Sequence, residues 1–396
     1  MILGIVGKPN CGKSTFFKAC TLADVEIANY PFATIKPNRG AAHVKVRCAE
    51  LDFDTKCNPR TGFCTDAGER FVPVEVIDVA GLVPGAHEGK GMGLSFLNDL
   101  NQADALIQVI DLSGSTNEKG EPVDRLSYDP SEDIAFLERE LVHWFDSVLS
   151  SSWDKFVRTV DQTDLKKEEA FNKQLSGLGT SELLIKDALK KLDLPEFLKD
   201  WSAENRLSLC SELRKLVKPI IVAANKADVP GAIDNLERIK ARFPDVLVIP
   251  CSAESELALR EADAANIVTY VPGSKEFKVN SQTLNDRQKK GLEFIQSNVL
   301  DDLEGTGVQR VINDAIFNVL DHIFVFPGGL KKLEDKDGNR LPDCFLIPNG
   351  STALDFAFRV HTDLGKKFIR AVDVKKRLTV GKEHTLKSGD VIEIIT

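Results

Sequence analysis

The chain opens on an apolar run, Ile2-Leu3-Gly4-Ile5-Val6, followed at once by Gly7-Lys8-Pro9-Asn10-Cys11-Gly12-Lys13-Ser14. That octapeptide fits G-x-x-x-x-G-K-[ST], a turn between a buried strand and a helix whose backbone N–H groups cradle phosphate. Few other strings dictate so much: a strand must end where a helix begins, and the positive end of that helix must face an anion. Gly7 and Gly12 permit the turn. Lys13 is placed to reach the β- and γ-phosphates and the Ser14 hydroxyl to ligate magnesium. Lys8, Pro9, Asn10, Cys11 and Thr15 complete the expected phosphate contact.

Two further strings follow in the order that such a site requires. Asp78-Val79-Ala80-Gly81 closes a strand-like run over residues 72–77. Asp78 is positioned for the metal's water shell and the Gly81 N–H for the γ-phosphate, so losing that phosphate would release the loop. Asn225-Lys226-Ala227-Asp228 follows the apolar run Pro219-Ile220-Ile221-Val222-Ala223-Ala224, at the carboxyl end of a strand, where open α/β sheets bind ligands. A carboxylate there accepts hydrogen bonds from N1–H and the exocyclic amine of guanine, a donor pair that adenine lacks. The competing role for the segment is an Asx-type helix cap. Val248-Ile249-Pro250-Cys251-Ser252-Ala253 then supplies a last strand and a small-residue loop, with Ser252 and Ala253 placed beside the base.

With these strings in hand, the chain resembles the translation-factor class of P-loop GTPases, and within it the Obg-related YchF family. Asn29-Tyr30-Pro31-Phe32-Ala33-Thr34-Ile35-Lys36-Pro37-Asn38, Asp78 through Gly89, and the C-terminal region carry the likeness, which spans nearly the whole chain. The resemblance implies that Thr34 closes over magnesium in the triphosphate state and that residues 81–89 form the second switch. It also implies a catalytic set of Lys13, Thr34, Gly81 and His87, with metal ligands Ser14, Thr34 and Asp78. Leu82 stands where many GTPases carry the glutamine that orients the attacking water. The resemblance therefore implies that hydrolysis relies on another group, with His87 and a monovalent cation as the alternatives. Asn10 matches the asparagine that accompanies potassium activation in similar GTPases, so K+ joins Mg2+ as a candidate cofactor. Many bacterial and eukaryotic relatives replace the last aspartate of the guanine motif with glutamate and prefer ATP. Retention of Asp228 resembles the archaeal-type branch and favours GTP, with ATP the competitor.

The 396 residues are 42% hydrophobic and 28% charged, enough for several cored domains. No run approaches the roughly 18 apolar residues of a membrane span. The absence of a basic leader and eight cysteines without a regular framework fit a cytoplasmic protein. Cys48, Cys57 and Cys64 cluster with His43. Three thiols and an imidazole make a tetrahedral set, yet the spacing is not the paired C-x-x-C of a zinc ribbon, and thiols packed in a hairpin are the expected arrangement.

Far more chain separates Asp111 from Asn225 than one crossover needs, so an insertion is expected there. Asp129-Pro130-Ser131-Glu132 reads as a helix start, with Asp129 as N-cap, Pro130 at the first position and Glu132 returning a capping bond. Ile134, Leu137, Leu141, Trp144 or Phe145, and Val148 then recur at helical-seam spacing. Residues 161–174 and 183–192 look helical too, and the family resemblance implies a projecting coiled-coil-like arm. After further helices over 284–303 and 308–320, short β-type runs alternate with Gly/Pro/Asn/Asp turns from Ile323 onward. This end resembles a TGS domain, a small β-grasp module associated with RNA and ribosome contacts. The fold class expected is thus α/β: a P-loop NTPase G domain with an inserted helical, coiled-coil-like arm and a C-terminal β-grasp TGS domain. The boundaries are 1–127 for the first part of the G domain, 128–216 for the insertion, 217–320 for its second part with connecting helices, and 321–396 for the TGS domain.

Residues 331–396 hold 13 Lys+Arg against 10 Asp+Glu, a net of +3 that leaves −12 on residues 1–330 of the formal −9. The acidic remainder repels phosphate backbones, so an RNA or ribosome contact is expected on the C-terminal module or on local patches. Lys366, Lys367, Arg370, Lys375, Lys376, Arg377, Lys382 and Lys387 concentrate there; a solvated basic face is the alternative.

Overall fold

The computed structural model describes residues 1–21, 39–79, 100–163, 165–281, 284–330, 332–335 and 337–396. Its centre is a seven-stranded sheet of β1 (Ile2–Val6), β2 (Arg39–Arg47), β3 (Phe63–Cys64), β4 (Glu69–Asp78), β5 (Ala105–Asp111), β6 (Ile220–Asn225) and β7 (Leu247–Pro250). The spatial order is β2-β4-β1-β5-β6-β7, with β3 paired to β4. Strands β4, β1, β5, β6 and β7 run parallel, and β2 and β3 pair antiparallel with β4. Strand β1 is apolar throughout, β6 is apolar up to Ala224, and β5 is broken only by Gln108 before it ends on Asp111, because both faces of the sheet are covered. Period-two alternation divides their side chains. Leu3, Ile5, Ile107 and Ile221 join a core with α1 (Lys13–Thr21), while Val6 and Leu106 face the inserted helices.

The insertion is helical, as expected. It comprises α2 (Ser131–Ser150), α3 (Trp153–Gln162), α4 (Lys167–Leu175), α5 (Glu182–Lys191) and α6 (Ala203–Val217). Of the expected seam, Ile134, Leu137, Leu141, Trp144 and Phe145 are all buried. Leu137, Leu141 and Phe145 share one apolar cluster with Leu209 and Leu213 of α6 and with Val6, Ile77 and Leu106 of the sheet. The apolar seam of α2 is thus covered by α6 and the sheet. The shorter helices close the bundle through Trp153, Phe156, Phe171 and Trp201, with the Phe171 and Trp201 rings 5.6 Å apart. Asp129 does cap α2, its carboxylate accepting from Ser131 N–H at 3.0 Å. Glu132, by contrast, does not return the bond but pairs with Arg242 at 2.5 Å. The longer, cationic partner wins that carboxylate.

Beyond β6 come α7 (Ala232–Arg242), α8 (Ala253–Ala264), the two-residue strands β8 (Val268–Thr269) and β9 (Lys278–Val279), α9 (Asp286–Ile295) and α10 (Val308–Asp314). The small hairpin β8–β9 carries no signal long enough to be read in sequence. The C-terminal unit is a five-stranded sheet of β10 (His322–Pro327), β11 (Phe345–Pro348), β12 (Arg370–Asp373), β13 (Leu378–Val380) and β14 (Val391–Ile395), in the order β11-β10-β14-β12-β13. The helix α11 (Ala353–Val360) packs across it through Ala353 and Phe356, against Ile323, Val325, Ala371 and Ile392. A capping box starts that helix: Thr352 Oγ1 accepts from Asp355 N–H, and the Asp355 carboxylate accepts from Thr352 N–H.

Candidate functional site

The loop from β1 to α1 is shaped by two glycines. Gly12 has φ +93°, and a Cβ there would lie 2.1 Å from Asn225 Nδ2; one at Gly7 would lie 2.5 Å from the Val109 carbonyl. Asn10, at φ +60°, takes the left-handed conformation that asparagine tolerates better than most residues. Phe16 N–H donates to the Gly12 carbonyl at 2.9 Å, the first bond of the helix. Ser14 is exposed and Thr15 half-buried in the first turn, and the Lys13 ammonium is ion-paired with Asp78 at the end of β4.

Asn225 ties the separate strings together. Its Nδ2 donates to the Cys11 carbonyl at 3.0 Å and its Oδ1 accepts from Ala253 N–H at 3.0 Å, so one buried amide joins the phosphate loop, β6 and the start of α8. Lys226 donates to the Asn10 carbonyl at 3.1 Å and pairs with Asp111 at 2.8 Å. Burial works to raise the Asp111 carboxyl, but Lys226 with the hydroxyls of Ser113 and Thr116 outweighs it and holds the group below the usual carboxylate range. Ser252 caps α8 by accepting from Ser255 N–H, and its own N–H donates to the Thr306 carbonyl at 2.9 Å. Asp228 stands half-buried beside this cluster and makes no hydrogen bond or ion pair among the described residues.

Lys8 departs from the expected nucleotide contact. Its ammonium is buried, pairs with Asp133 at 2.9 Å, donates to the Thr116 carbonyl at 2.9 Å and lies 3.9 Å from the centre of the Tyr128 ring. Only its backbone N–H is left for a phosphate. Pro9 has no N–H to offer, and Cys11 keeps a thiol pushed up to about 11, chiefly by burial. Asn10 Nδ2 donates to the Gly120 carbonyl at 2.9 Å. The phosphate loop is therefore buttressed by the segment 111–133, whose Asp111, Gly120, Tyr128 and Asp133 the sequence reading missed. A signal was there: the run Ala105-Leu106-Ile107-Gln108-Val109-Ile110 ends on Asp111, and Asp111 pairs in register with Asn225. Thr34, Gly81 and His87 lie outside the described residues.

The model of the 50S ribosome-binding GTPases matches residues 2–141, that of the Obg-like GTPase YGR210-like, G4 motif-containing domain matches 223–328, and that of the TGS domain matches 327–396. A GTP-binding protein of Methanocaldococcus jannaschii is 48% identical over 396 residues, covering 100% of this chain and 99% of its own. The chain belongs to the Obg-related YchF family of P-loop GTPases. A GTP-binding protein of Schizosaccharomyces pombe is 35% identical over 370 residues, covering 89% of this chain and 88% of its own. The ribosome-binding ATPase YchF of Escherichia coli O157:H7 is 28% identical over 429 residues, covering 99% and 98%. Among solved structures, the GTP binding protein from Pyrococcus horikoshii OT3 matches with a TM-score of 0.79 at 36% identity over 100% of both chains.

Family membership makes this chain a nucleoside-triphosphate hydrolase of the P-loop class, built as a G domain with a C-terminal TGS domain. No helix among the described residues is long and apolar enough to cross a membrane.

Proposed function

We propose that the chain is a Mg2+-dependent GTP-hydrolysing switch of the cytoplasm that acts on the ribosome or RNA. The observation that carries this reading is the Asn225 amide, which couples the phosphate loop to the strand end bearing Asp228. An unpartnered carboxylate in that position suits the donor pair of guanine, and the relatives at 48% and 35% identity are both GTP-binding proteins. The Ser14 hydroxyl and the Asp78 carboxylate are hard oxygen donors at adjoining ends of α1 and β4, the donor class that suits Mg2+. Bound there, the ion would neutralise charge developing on the phosphates. The protein's own part is positional. Lys13 leaves Asp78 for the β- and γ-phosphates, the N–H groups of residues 8–14, Pro9 excepted, hold the oxygens, and Asp228 selects the base. Thr34, Gly81 and His87 enter on the family resemblance, as switch and water-orienting residues. Asn10 commits its side-chain Nδ2 to Gly120 and its backbone carbonyl to Lys226, which leaves its side-chain Oδ1 for a potassium ion.

Ribosome or RNA engagement through the TGS domain is supported by exposed basic side chains. Lys366, Lys367, Arg370, Arg377 and Lys387 are exposed and make no ion pair among the described residues, with exposed Ile369 and Leu378 between them. Domain limits of 1–127, 128–216, 217–320 and 321–396 accompany this reading. Calorimetry and phosphate release with GTP and ATP, in Mg2+ with potassium and then sodium, test it. GTP preference of at least about tenfold is expected, because losing both hydrogen bonds to Asp228 leaves a carboxylate unpaired. Lys13→Ala is expected to lose turnover; wild-type turnover in that variant would overturn the site, and ATP preference would overturn the base assignment. Ribosome co-sedimentation that disappears after RNase treatment checks the partner.

A further inference from the structure

We propose that Cys48, Glu50, Cys57 and Cys64 bind one zinc ion in a tetrahedral site of three sulfurs and one oxygen, at the seam between the G domain and the TGS domain. The four residues come from different pieces of backbone. Cys48 follows β2, Glu50 lies in the helical turn Ala49–Asp52, Cys57 in the next loop, and Cys64 ends β3. Their ligand atoms all fall within 4.8 Å of one another. Cys48 Sγ is 3.7 Å from Cys57 Sγ, and Cys64 Sγ is 3.7 Å from Glu50 Oε1. A tetrahedral zinc with metal–sulfur bonds of about 2.3 Å spaces its sulfurs about 3.8 Å apart. The Cys48–Cys57 and Cys64–Glu50 pairs thus already stand near coordination spacing, and the Cys48 and Cys57 thiols are too far apart to be a disulfide.

The surroundings are those of a structural metal site. Glu50 Oε2 accepts from Cys57 N–H at 2.7 Å, which fixes the carboxylate with its other oxygen toward Cys64. The guanidinium of Arg70, 1% exposed, lies 3.8 Å from Cys57 Sγ and offsets the negative charge of three thiolates and a carboxylate. Ala49, Phe326, Leu341, Val374 and Val391 pack an apolar shell around Cys48. Gly62 enforces the loop that returns Cys64: it has φ +68°, and a Cβ there would sit 1.9 Å from the Phe71 carbonyl. Three soft sulfurs select zinc over magnesium or calcium, and four protein ligands leave no open position, so the ion would stabilise and not catalyse. His43, grouped with the cysteines in sequence, is not in this set. It is buried on β2 with its ring 5.7 Å from Phe63.

Full-length protein purified without chelators is expected to carry one zinc per chain by elemental analysis. Replacement by Co2+ should give thiolate-to-cobalt charge-transfer absorption and tetrahedral d–d bands. Cys57→Ser should lose that spectrum and Cys210→Ser, in the helical insertion, should keep it. A second readout needs no variant: one equivalent of zinc should slow alkylation of Cys48, Cys57 and Cys64 in the wild-type protein at least about tenfold, measured by peptide mass spectrometry. Protein that neither holds zinc nor takes it up, a cobalt spectrum indifferent to Cys57→Ser, iron in place of zinc, or alkylation unchanged by zinc would each overturn the proposal.

Discussion

Gly12 and Asn225 depend on each other more closely than any other pair at the phosphate loop. The amide that fills the space beside Gly12 is the same amide that bonds to Cys11 and Ala253, so the absent Cβ and the present asparagine are one device. Gly12→Ala would force a side chain into φ +93° and push Asn225 off both partners. Strain at positive φ and two lost buried hydrogen bonds together cost about 2–4 kcal/mol. Urea unfolding is expected to show that loss, together with the loss of GTP binding. A variant as stable as wild type would mean that Asn225 relaxes without penalty.

The sheet's β2 edge shows how an element is finished by side chains. On β2, Asn313 of α10 accepts from Lys45 N–H at 2.9 Å and donates to the Lys45 carbonyl at 3.0 Å, while Gln309 donates to the His43 carbonyl at 2.8 Å. Two amides on a helix thereby satisfy an edge strand that would otherwise be open to pairing. His43 sits beneath this contact, pushed down to about 4 by burial first and by Arg260 second. The unfolded chain takes up that proton near pH 6.5, so the unfolded state binds more protons below that value. The stability contributed by neutral His43 is complete above pH 6.5 and is lost as pH falls toward 4, by about 3 kcal/mol. Denaturant titrations across that window should show a shallower slope in His43→Gln; an unchanged slope would assign the proton to another group.

At the scale of the whole molecule, Arg70 joins the two domains. Its guanidinium donates to the Leu341 carbonyl at 3.3 Å and the Pro342 carbonyl at 2.8 Å. Arg60 adds an ion pair to Asp343 at 2.8 Å, and Asn58 N–H donates to the Arg340 carbonyl at 2.8 Å. These contacts hold the TGS domain against the loop between β2 and β3. Arg70→Leu leaves the Leu341 carbonyl unpaired and the Pro342 carbonyl with only the Arg60 N–H, at 3.0 Å, a cost of about 1–3 kcal/mol. Tryptic cleavage between β10 and β11 is expected to accelerate in that variant while nucleotide binding persists. Unaltered cleavage would place the grip in the exposed pairs alone.

How much of this was legible in sequence follows from the range of the interactions. Strand, turn and helix at residues 2–21 are set by neighbours within one turn, as are the caps at Asp129 and Thr352, and each could be read from residue type and spacing. Placement of Lys8 could not, because its partners Thr116 and Asp133 lie more than a hundred positions away and only the fold brings them near. The loss of Glu132 to Arg242 and the service of Asp111 to Lys226 have the same origin. Sequence by itself determined the phosphate loop, the strand ends and the order of the domains, since local sterics and periodicity decide those. Only the tertiary structure decided which charges pair, because a buried ion takes the opposite charge that packing delivers, whatever its distance along the chain.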